Sequence, residues 1–308
     1  MAILIDPPRW PAHGYRWSHL VSDVSLDELH AFARSLGLPR RSFDLDHYDV
    51  AEFNYDRAIS AGAVPVSGHA LVRALRASGL RVRQVDRGKI KSVRREEFLL
   101  REWSRLGERL QLGEDTRWTA LGWELLGRWN EPHRSYHDQR HLEDVLLALD
   151  QLAIAGEQIQ PVTLLAAWFH DAVYAGALGE DERASAELAQ SQLVSLGVPV
   201  RLIEEVHDCI LATTPETPFA EVSRPFAQML DADLAIFAAG ERRYAEYAEA
   251  VRVEYAHVSE PDFRRGRAQI LRRYLARPRI YRLESANTIW EARARHNLNA
   301  EVQKLSAN

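Results

Sequence analysis

A histidine and an aspartate stand side by side where a buried helix is predicted to end. The stretch "FHDAVY" (169–174) places His170 and Asp171 directly after the apolar run LLAAW. Burying a polar group without a partner costs roughly 2–7 kcal/mol, and a lone charge costs more. Such a pair needs a compensating neighbour, and a bound cation is one candidate.

Two more histidines lie at helical spacing in "SYHDQRHLEDVLLALD" (135–150). His137 and His141 are four residues apart, so on a helix they share one face, about one turn apart. Two such histidines can serve one ion, or one can ligate it while the other donates a proton. Surface histidines have the same spacing, so this pair alone does not separate a site from a solvated face.

Two aspartates occur in a third apolar stretch, "QMLDADLAIF" (228–237). The ionised form of an isolated buried aspartate is strongly disfavoured. Each has an ordinary alternative, because Asp231 could cap a helix and Asp233 could pair with an arginine such as Arg224. A histidine, a His-Asp pair and an aspartate on separate apolar helices together predict mixed nitrogen and oxygen ligands around one point in a helix bundle.

The elements that must position these residues are helices. No strand is predicted after about residue 94, and glycines stand where helices should stop while prolines stand where the next should begin. The predicted helices are 95–111, 116–130, 138–155, 161–172, 181–196, 200–212, 224–239, 241–257, 262–276 and 284–304.

The first 88 residues differ in character. Short strands are predicted at 2–6, 63–67 and 80–85, with helices at 25–37 and 68–78. The charged segment 86–97 is predicted to be a hinge or a connecting helix. The predicted fold class is mostly α, with an all-α helical bundle at 95–308 preceded by a small α/β domain at 1–88.

Composition excludes several classes of protein. Of 308 residues 46% are hydrophobic, and the formal net charge is −5, unlike a protein that coats nucleic acid. The lone cysteine, Cys209, excludes an internal disulfide and a multi-cysteine zinc site. No apolar run approaches the roughly 18–20 residues of a membrane span, and "MAILIDPPRW" lacks a cationic start followed by a long apolar stretch. We therefore expect a cytoplasmic protein that does not enter membranes.

The order His141, His170-Asp171, Asp233 resembles the HD superfamily of metal-dependent phosphohydrolases. The pattern "YHxxxHxxDV" (136–145) is also similar to the start of the catalytic region of cyclic-nucleotide phosphodiesterases. The fuller resemblance, over residues 98–308, is to a group of uncharacterised bacterial proteins described as predicted metal-dependent HD phosphohydrolases. Its patterns match here at 136–144, 168–174, 181–186 and 231–240. Residues 1–86 resemble a small bacterial domain of unknown function through "WSHLVSD" (17–23) and "HYDV" (47–50).

The resemblance implies a role for each matching residue. It implies that His141, His170 and Asp171 are metal ligands and that His137 is the proton donor. The last ligand is Asp233 by this alignment, with Asp231 kept as the alternative. Glu182 and Ser185 are expected to contact the metal ligands. Candidate contacts to a phosphate are Arg252, Tyr255 and Arg267.

The implied cofactor is a divalent metal ion, from the group Mn, Mg, Ni, Co, Zn and Fe. The expected reaction is hydrolysis of a phosphate ester or anhydride, with a phosphorylated small molecule as the substrate and a nucleotide among the candidates. Asp171 is expected to contribute to catalysis as well as to ligation, by orienting water or bridging a second ion. The alternative is a sensor that binds a metal or nucleotide without turnover, and a homodimer is left open.

Polar residues of the first domain form a second candidate group near strand ends: Asp6, His13, His19, His47 and Asp49. A hydrogen-bonded core or a helix cap is the plainer interpretation of this group.

Overall fold

The computed structural model describes residues 2–12, 14–177, 179–214 and 222–307. The chain divides into two compact units between Arg94 and Arg95. The helix α4 (Arg87–Arg109) contains that division. A small α/β unit thus precedes a helical bundle, and the predicted fold class is confirmed.

The N-terminal unit is built on a five-stranded sheet in which the longest strand, β3, pairs with β1, β2 and β4 in antiparallel fashion. The strand β5 pairs with β1 in parallel. The strands are β1 (Ile3–Ile5), β2 (Trp10–Ala12), β3 (Tyr15–Ser22), β4 (Tyr48–Ala51) and β5 (Val64–Pro65). The α-helices are α1 (Leu26–Ser35), α2 (Tyr55–Ser60) and α3 (Gly68–Ala77), with 3₁₀ turns at Arg40–Ser42, Glu52–Asn54 and Gln84–Asp86.

Serine caps explain where two of these helices begin. The side chain of Ser25 accepts a hydrogen bond from the backbone of Glu28, and that of Ser67 accepts one from Ala70. The strand predicted at 80–85 is wrong. The backbone N–H of Val82 donates a hydrogen bond of 2.7 Å to the buried carboxylate of Asp46. A side chain, and not a neighbouring strand, therefore accepts the backbone hydrogen of this segment.

The C-terminal unit contains helices at nearly all predicted positions. After α4 they are α5 (Thr116–Arg128), α6 (Gln139–Ile154), α7 (Pro161–Phe169), α8 (Glu180–Ser195), α9 (Val200–Leu211), α10 (Arg224–Asp233), α11 (Glu241–Glu254) and α12 (Glu260–Ala276). Next, the short helix α13 (Glu284–Ala286) continues through a π-helical turn at Asn287–Glu291 into the final helix, α14 (Ala292–Ser306). The helix predicted at 224–239 changes to a 3₁₀ turn at Leu234–Ala238. No described helix is both long enough and apolar enough to cross a membrane.

Paired tryptophans hold the helices near the site. The rings of Trp103 and Trp118 stack 3.9 Å apart, and each indole N–H donates to the backbone carbonyl of the other residue. A Cβ atom at Gly122 would lie 2.4 Å from Trp103, so only glycine leaves room for this stack. Trp168, on α7, meets the edge of Trp103 and accepts a hydrogen bond at its carbonyl from Trp129. These contacts fix the helix that ends at the predicted His-Asp pair.

Candidate functional site

Three helix ends converge in the C-terminal unit. The carboxylate of Asp138 caps α6 by accepting the backbone N–H groups of Arg140 and His141, which places His141 in the first turn. His170 ends α7, and Asp171 follows in the next turn. Asp233 is the last residue of α10.

The side chains of these residues meet at short distances. The Nε2 atoms of His141 and His170 are 3.1 Å apart. Asp171 Oδ2 lies 3.2 Å from His170 Nε2 and 3.7 Å from His141 Nε2. Asp233 Oδ1 lies 3.2 Å from His141 Nε2 and 3.7 Å from His170 Nε2. The ligand atoms of His141, His170 and Asp171 all lie within 4.8 Å of one another, and Asp233 Oδ1 lies close to both histidine nitrogens.

These distances suit a divalent cation. Nitrogen and oxygen ligands lie about 2.0–2.2 Å from such an ion, so neighbouring ligand atoms are about 3.0 Å apart in octahedral and about 3.4 Å apart in tetrahedral coordination. The separations of 3.1–3.7 Å lie close to these values. The Nδ1 of His170 faces the carbonyl oxygen of Ala167 at 3.0 Å, so a proton on Nδ1 leaves the Nε2 lone pair free to ligate.

A purely hydrogen-bonded arrangement satisfies these buried groups less well. Only one of the two facing Nε2 atoms can carry a hydrogen along their 3.1 Å contact, because two N–H groups would repel each other. His141 Nδ1 is buried without a hydrogen-bond partner among the described residues, whether its Nε2 faces a hydrogen bond or a cation. The two aspartates supply two negative charges, which one divalent ion would balance. The donor set fits a divalent metal.

Electrostatics in the cluster favour positive charge at its centre. Burial by itself would raise the pKa of Asp171 and of Asp233, but the neighbouring histidines hold both well below the usual range. Burial would likewise lower the pKa of His170, and the two carboxylates raise it well above its ordinary value instead. The negative potential that favours a proton at His170 also favours a metal cation.

His137 lies beside the cluster and is held by a buried carboxylate. Its Nδ1 is 2.7 Å from Glu254 Oε2, which also accepts the hydroxyl hydrogen of Tyr174 at 3.0 Å. Burial would lower the pKa of His137, but the hydrogen bond to Glu254 and the charge of Asp171 raise it. The ring stacks on Tyr174 with centroids 4.3 Å apart. This arrangement favours the protonated form of His137 and holds the orientation of its ring.

Glu254 is the residue that sequence reasoning missed. Its Oε1 accepts the consecutive backbone N–H groups of Ser135, Tyr136 and His137 at 2.7–3.0 Å. One signal was available, since Glu254 is an acidic residue at the C-terminal end of α11, where the helix dipole disfavours negative charge.

A cleft of about 420 Å³ opens onto the cluster. Its walls include His137, His170, Asp171 and Asp233, so that three of the four candidate ligands and the candidate proton donor face the same space. Aromatic rings make up much of the remaining wall: Tyr136, Tyr174, Phe237, Tyr247, Tyr255, Phe263 and Tyr274.

Glu182 and Ser185 support the loop after Asp171. The Ser185 hydroxyl donates to the carbonyl of Val173 and accepts its N–H group, while Glu182 accepts the N–H of Gly179 at 2.7 Å. Glu182 also lines the cleft, and burial raises its pKa. Neither residue has a described hydrogen bond to a cluster side chain.

The two arginines expected to contact phosphate are occupied elsewhere. The guanidinium of Arg252 bonds Glu260 and the carbonyls of Tyr255 and Val258, and this residue does not line the cleft. Arg267 lines it, but its Nε donates to Glu301 at 2.8 Å. The donors of Arg252 are thus committed to protein partners, and the expectation that it contacts a phosphate stays a prediction that this arrangement does not favour.

Asp231 does not join the cluster. Both of its oxygens accept the backbone N–H of Arg282, and Oδ2 also accepts that of Leu283, at 2.8–2.9 Å. Residues two apart on a helix point about 200° away from each other, so Asp231 faces the opposite side from Asp233. Asp231, the alternative to Asp233 as the last ligand, is therefore placed outside the cluster. Arg224, the alternative partner of Asp233, pairs with Glu157.

Comparison with known protein families finds a match at residues 3–78 to a family described as "Protein of unknown function (DUF4031)". The expectation that the N-terminal segment is a small domain of unknown function is confirmed. Searches of curated proteins and of solved structures found no match.

Proposed function

We propose that the C-terminal unit is a metal-dependent phosphohydrolase that acts on a phosphorylated small molecule. The observation that carries the proposal is the meeting of the His141 and His170 Nε2 atoms, 3.1 Å apart, with Asp171 and Asp233, each of which has an oxygen 3.2–3.7 Å from both nitrogens. The motif resemblance to the HD superfamily points the same way. A divalent cation, when bound, lowers the pKa of water toward neutrality and offsets charge on a phosphoryl group.

The protein's own groups supply the proton that a leaving group needs. The carboxylate of Glu254 accepts the Nδ1–H of His137, so the Nε2–H of the imidazolium can donate to a group bound in the cleft. A well-placed general acid contributes roughly 10²–10⁴ in rate. A protein that only binds a metal or a nucleotide needs no such proton, so this pair favours hydrolysis over a sensor.

The walls of the cleft indicate the class of substrate. Aromatic side chains surround a space of about 420 Å³ next to two carboxylates and two histidines. A planar, partly apolar group can stack on such rings while its phosphate reaches the cation. A nucleotide has both parts, and we propose nucleotides as the first substrates to test.

The test combines metal content with turnover. The purified chain is analysed for bound metal and assayed with p-nitrophenyl phosphate, its bis-ester and a panel of nucleotides, with and without chelator. We expect about one divalent ion in the C-terminal unit and hydrolysis that chelation abolishes. Asp171→Asn should lose both. Bound metal with no turnover on any substrate would favour the sensor, and no metal in this unit would refute both the hydrolase and a metal sensor.

A matched control exists in a second His-Asp pair. His207 and Asp208 are adjacent on α9, but the Asp208 side chain is 69% exposed and outside the cluster. Asp208→Asn makes the same chemical change in the same dipeptide. It should leave metal content and activity at the wild-type level.

A further inference from the structure

The N-terminal unit contains a second group of side chains arranged like metal ligands. His19 lies on β3 and Asp49 lies opposite it on β4, while His47 immediately precedes β4. One nitrogen of each histidine and one carboxylate oxygen of Asp49 lie within 4.8 Å of one another. His47 Nε2 is 3.5 Å from Asp49 Oδ1. His13, the other histidine of interest here, lies outside the described residues.

Each of the two histidines is oriented by its own carboxylate. His19 Nδ1 is 3.0 Å from Asp6 Oδ2, and His47 Nδ1 is 2.7 Å from the buried Asp46. A histidine that donates Nδ1–H to a carboxylate presents its Nε2 lone pair, which is the usual support for a metal-ligating histidine. By elimination the Nε2 atoms are the available ligands.

The ring separation and interplanar angle of this histidine pair are close to those of the pair in the C-terminal unit. The rings of His19 and His47 are 5.1 Å apart with an interplanar angle of 69°. Those of His141 and His170 are 5.2 Å apart at 68°. The N-terminal pair is more accessible, with side chains 29% and 14% exposed.

His19 and His47 line a cleft of about 1150 Å³ within the N-terminal unit. Arginines line the same cleft: Arg9, Arg73, Arg76 and Arg81. Arg81 approaches Asp46 at 3.4 Å. Within the described part of the chain, the guanidinium groups of Arg9, Arg73 and Arg76 have no hydrogen bond or ion pair with protein. Guanidinium groups without protein partners suit the oxygens of a phosphate or pyrophosphate.

We propose that His19, His47 and Asp49 bind a divalent transition-metal ion, and that this ion and the cleft arginines together bind a phosphate-bearing ligand. Three protein ligands leave coordination positions open toward the cleft, as in metal sites that take an exogenous ligand. Nitrogen-rich coordination favours Zn²⁺, Co²⁺ or Ni²⁺ over Mg²⁺. This site lies in a different unit from the proposed hydrolase and does not depend on it.

The competing explanation is a self-contained ionic cluster. Burial would lower the pKa of His47, but its hydrogen bonds to Asp46 and Asp49 raise it to about 9. In that case a protonated His47 satisfies both aspartates, and the full chain binds no metal here. Metal binding by variants distinguishes the two.

The experiment counts Co²⁺ bound by the full chain, using equilibrium dialysis and the visible absorption of bound Co²⁺. His19→Asn and Asp49→Asn should each weaken one Co²⁺ site by at least about tenfold, since each removes a ligand. His69→Asn, an exposed histidine of the same unit outside the cluster, should bind as wild type does. Asp49 is 46% exposed, so its isosteric replacement should leave the fold intact, as a thermal melt can verify.

Co²⁺ binding that is the same in wild type, His19→Asn and Asp49→Asn would overturn the metal site. The variant His170→Ala distinguishes this site from the proposed hydrolase site. It should leave the N-terminal Co²⁺ in place whether or not the C-terminal unit binds metal.

Pyrophosphate is the probe for the ligand, and its binding is measured by calorimetry on the Co²⁺-loaded chain. All chains in this measurement carry His170→Ala, so that the proposed hydrolase site neither binds nor cleaves the anhydride, and "wild type" here refers to the arginines. The double variant Arg73→Gln with Arg76→Gln should weaken binding by about tenfold or more, since charge-assisted hydrogen bonds are lost. Arg57→Gln, a change at an exposed arginine of α2 outside this cleft, should not. Pyrophosphate that fails to bind wild type, or binds the double variant equally, would refute the proposed ligand.

Discussion

Replacing Glu254 with glutamine tests whether this carboxylate holds the proton on His137. Oε1 of Glu254 accepts three backbone N–H groups, and a glutamine oxygen can retain them. The glutamine nitrogen must then face His137 Nδ1 and the hydroxyl of Tyr174, which both donate to Oε2 in the native protein. Nδ1 must lose its hydrogen to accept from the amide, so His137 becomes neutral and a much weaker acid.

The expected loss of stability follows from burial. The Glu254 side chain is only 2% exposed, and breaking a buried charge pair by removing one partner costs about 3–5 kcal/mol. Because glutamine keeps the backbone contacts, we expect about 3 kcal/mol in the free energy of unfolding at pH 7. Loss of the proton donor should lower kcat by about 100-fold or more in the proposed hydrolysis.

The pH dependence has a definite sign. Burial alone would raise the pKa of Glu254, but the hydrogen bond from His137 lowers it to about 2, compared with 4.5 for an unperturbed group. A depressed carboxyl pKa contributes stability that is present above the unfolded value and lost as the pH falls toward the folded one. The difference in stability between wild type and Glu254→Gln should therefore shrink between pH 4.5 and pH 2.

The assays are urea unfolding and phosphoester hydrolysis. Glu246→Gln is the matched control, since Glu246 lies on the same helix and its pair with Arg140 is 37% exposed on both sides. That variant should change stability by less than about 1 kcal/mol and leave kcat unchanged. A Glu254→Gln protein as stable as wild type at pH 7, with the same kcat, would refute the reasoning.

Three further predictions concern the core, the aspartates and the metal. Gly122→Ala places a Cβ atom 2.4 Å from Trp103 and should destabilise the protein by about 1–3 kcal/mol in chemical denaturation, whereas Gly127→Ala, with no atom within 4 Å, should not. Asp231→Ala should cost about 2–4 kcal/mol by leaving buried N–H groups unpaired, yet the metal content should stay at the wild-type level; loss of metal would reinstate Asp231 as a ligand. A divalent ion at 100 times its Kd for the C-terminal site should stabilise wild type by about 2.7 kcal/mol more than His141→Ala, and an equal rise of Tm in both would count against that site.

Rules that involve only neighbouring residues predict most of the helices in this fold. Capping serines, prolines at helix starts and the helical period of apolar residues depend on neighbours within about one turn of helix, so they predict helix positions from sequence alone. The strand predicted at 80–85 is the exception. It is absent because a distant carboxylate, Asp46, takes the backbone N–H of Val82.

The sequence by itself determined which residue types could bind a cation and that they belong to separate apolar helices. Only the tertiary structure decided between Asp231 and Asp233, because both flanks of α10 are buried and the helical period does not say which flank faces α6 and α7. The partner of Glu254 was likewise beyond any local rule, since Glu254 lies 117 residues from the histidine it holds. Contacts over such distances depend on how whole helices pack, and the spacing of residues along the chain does not specify that.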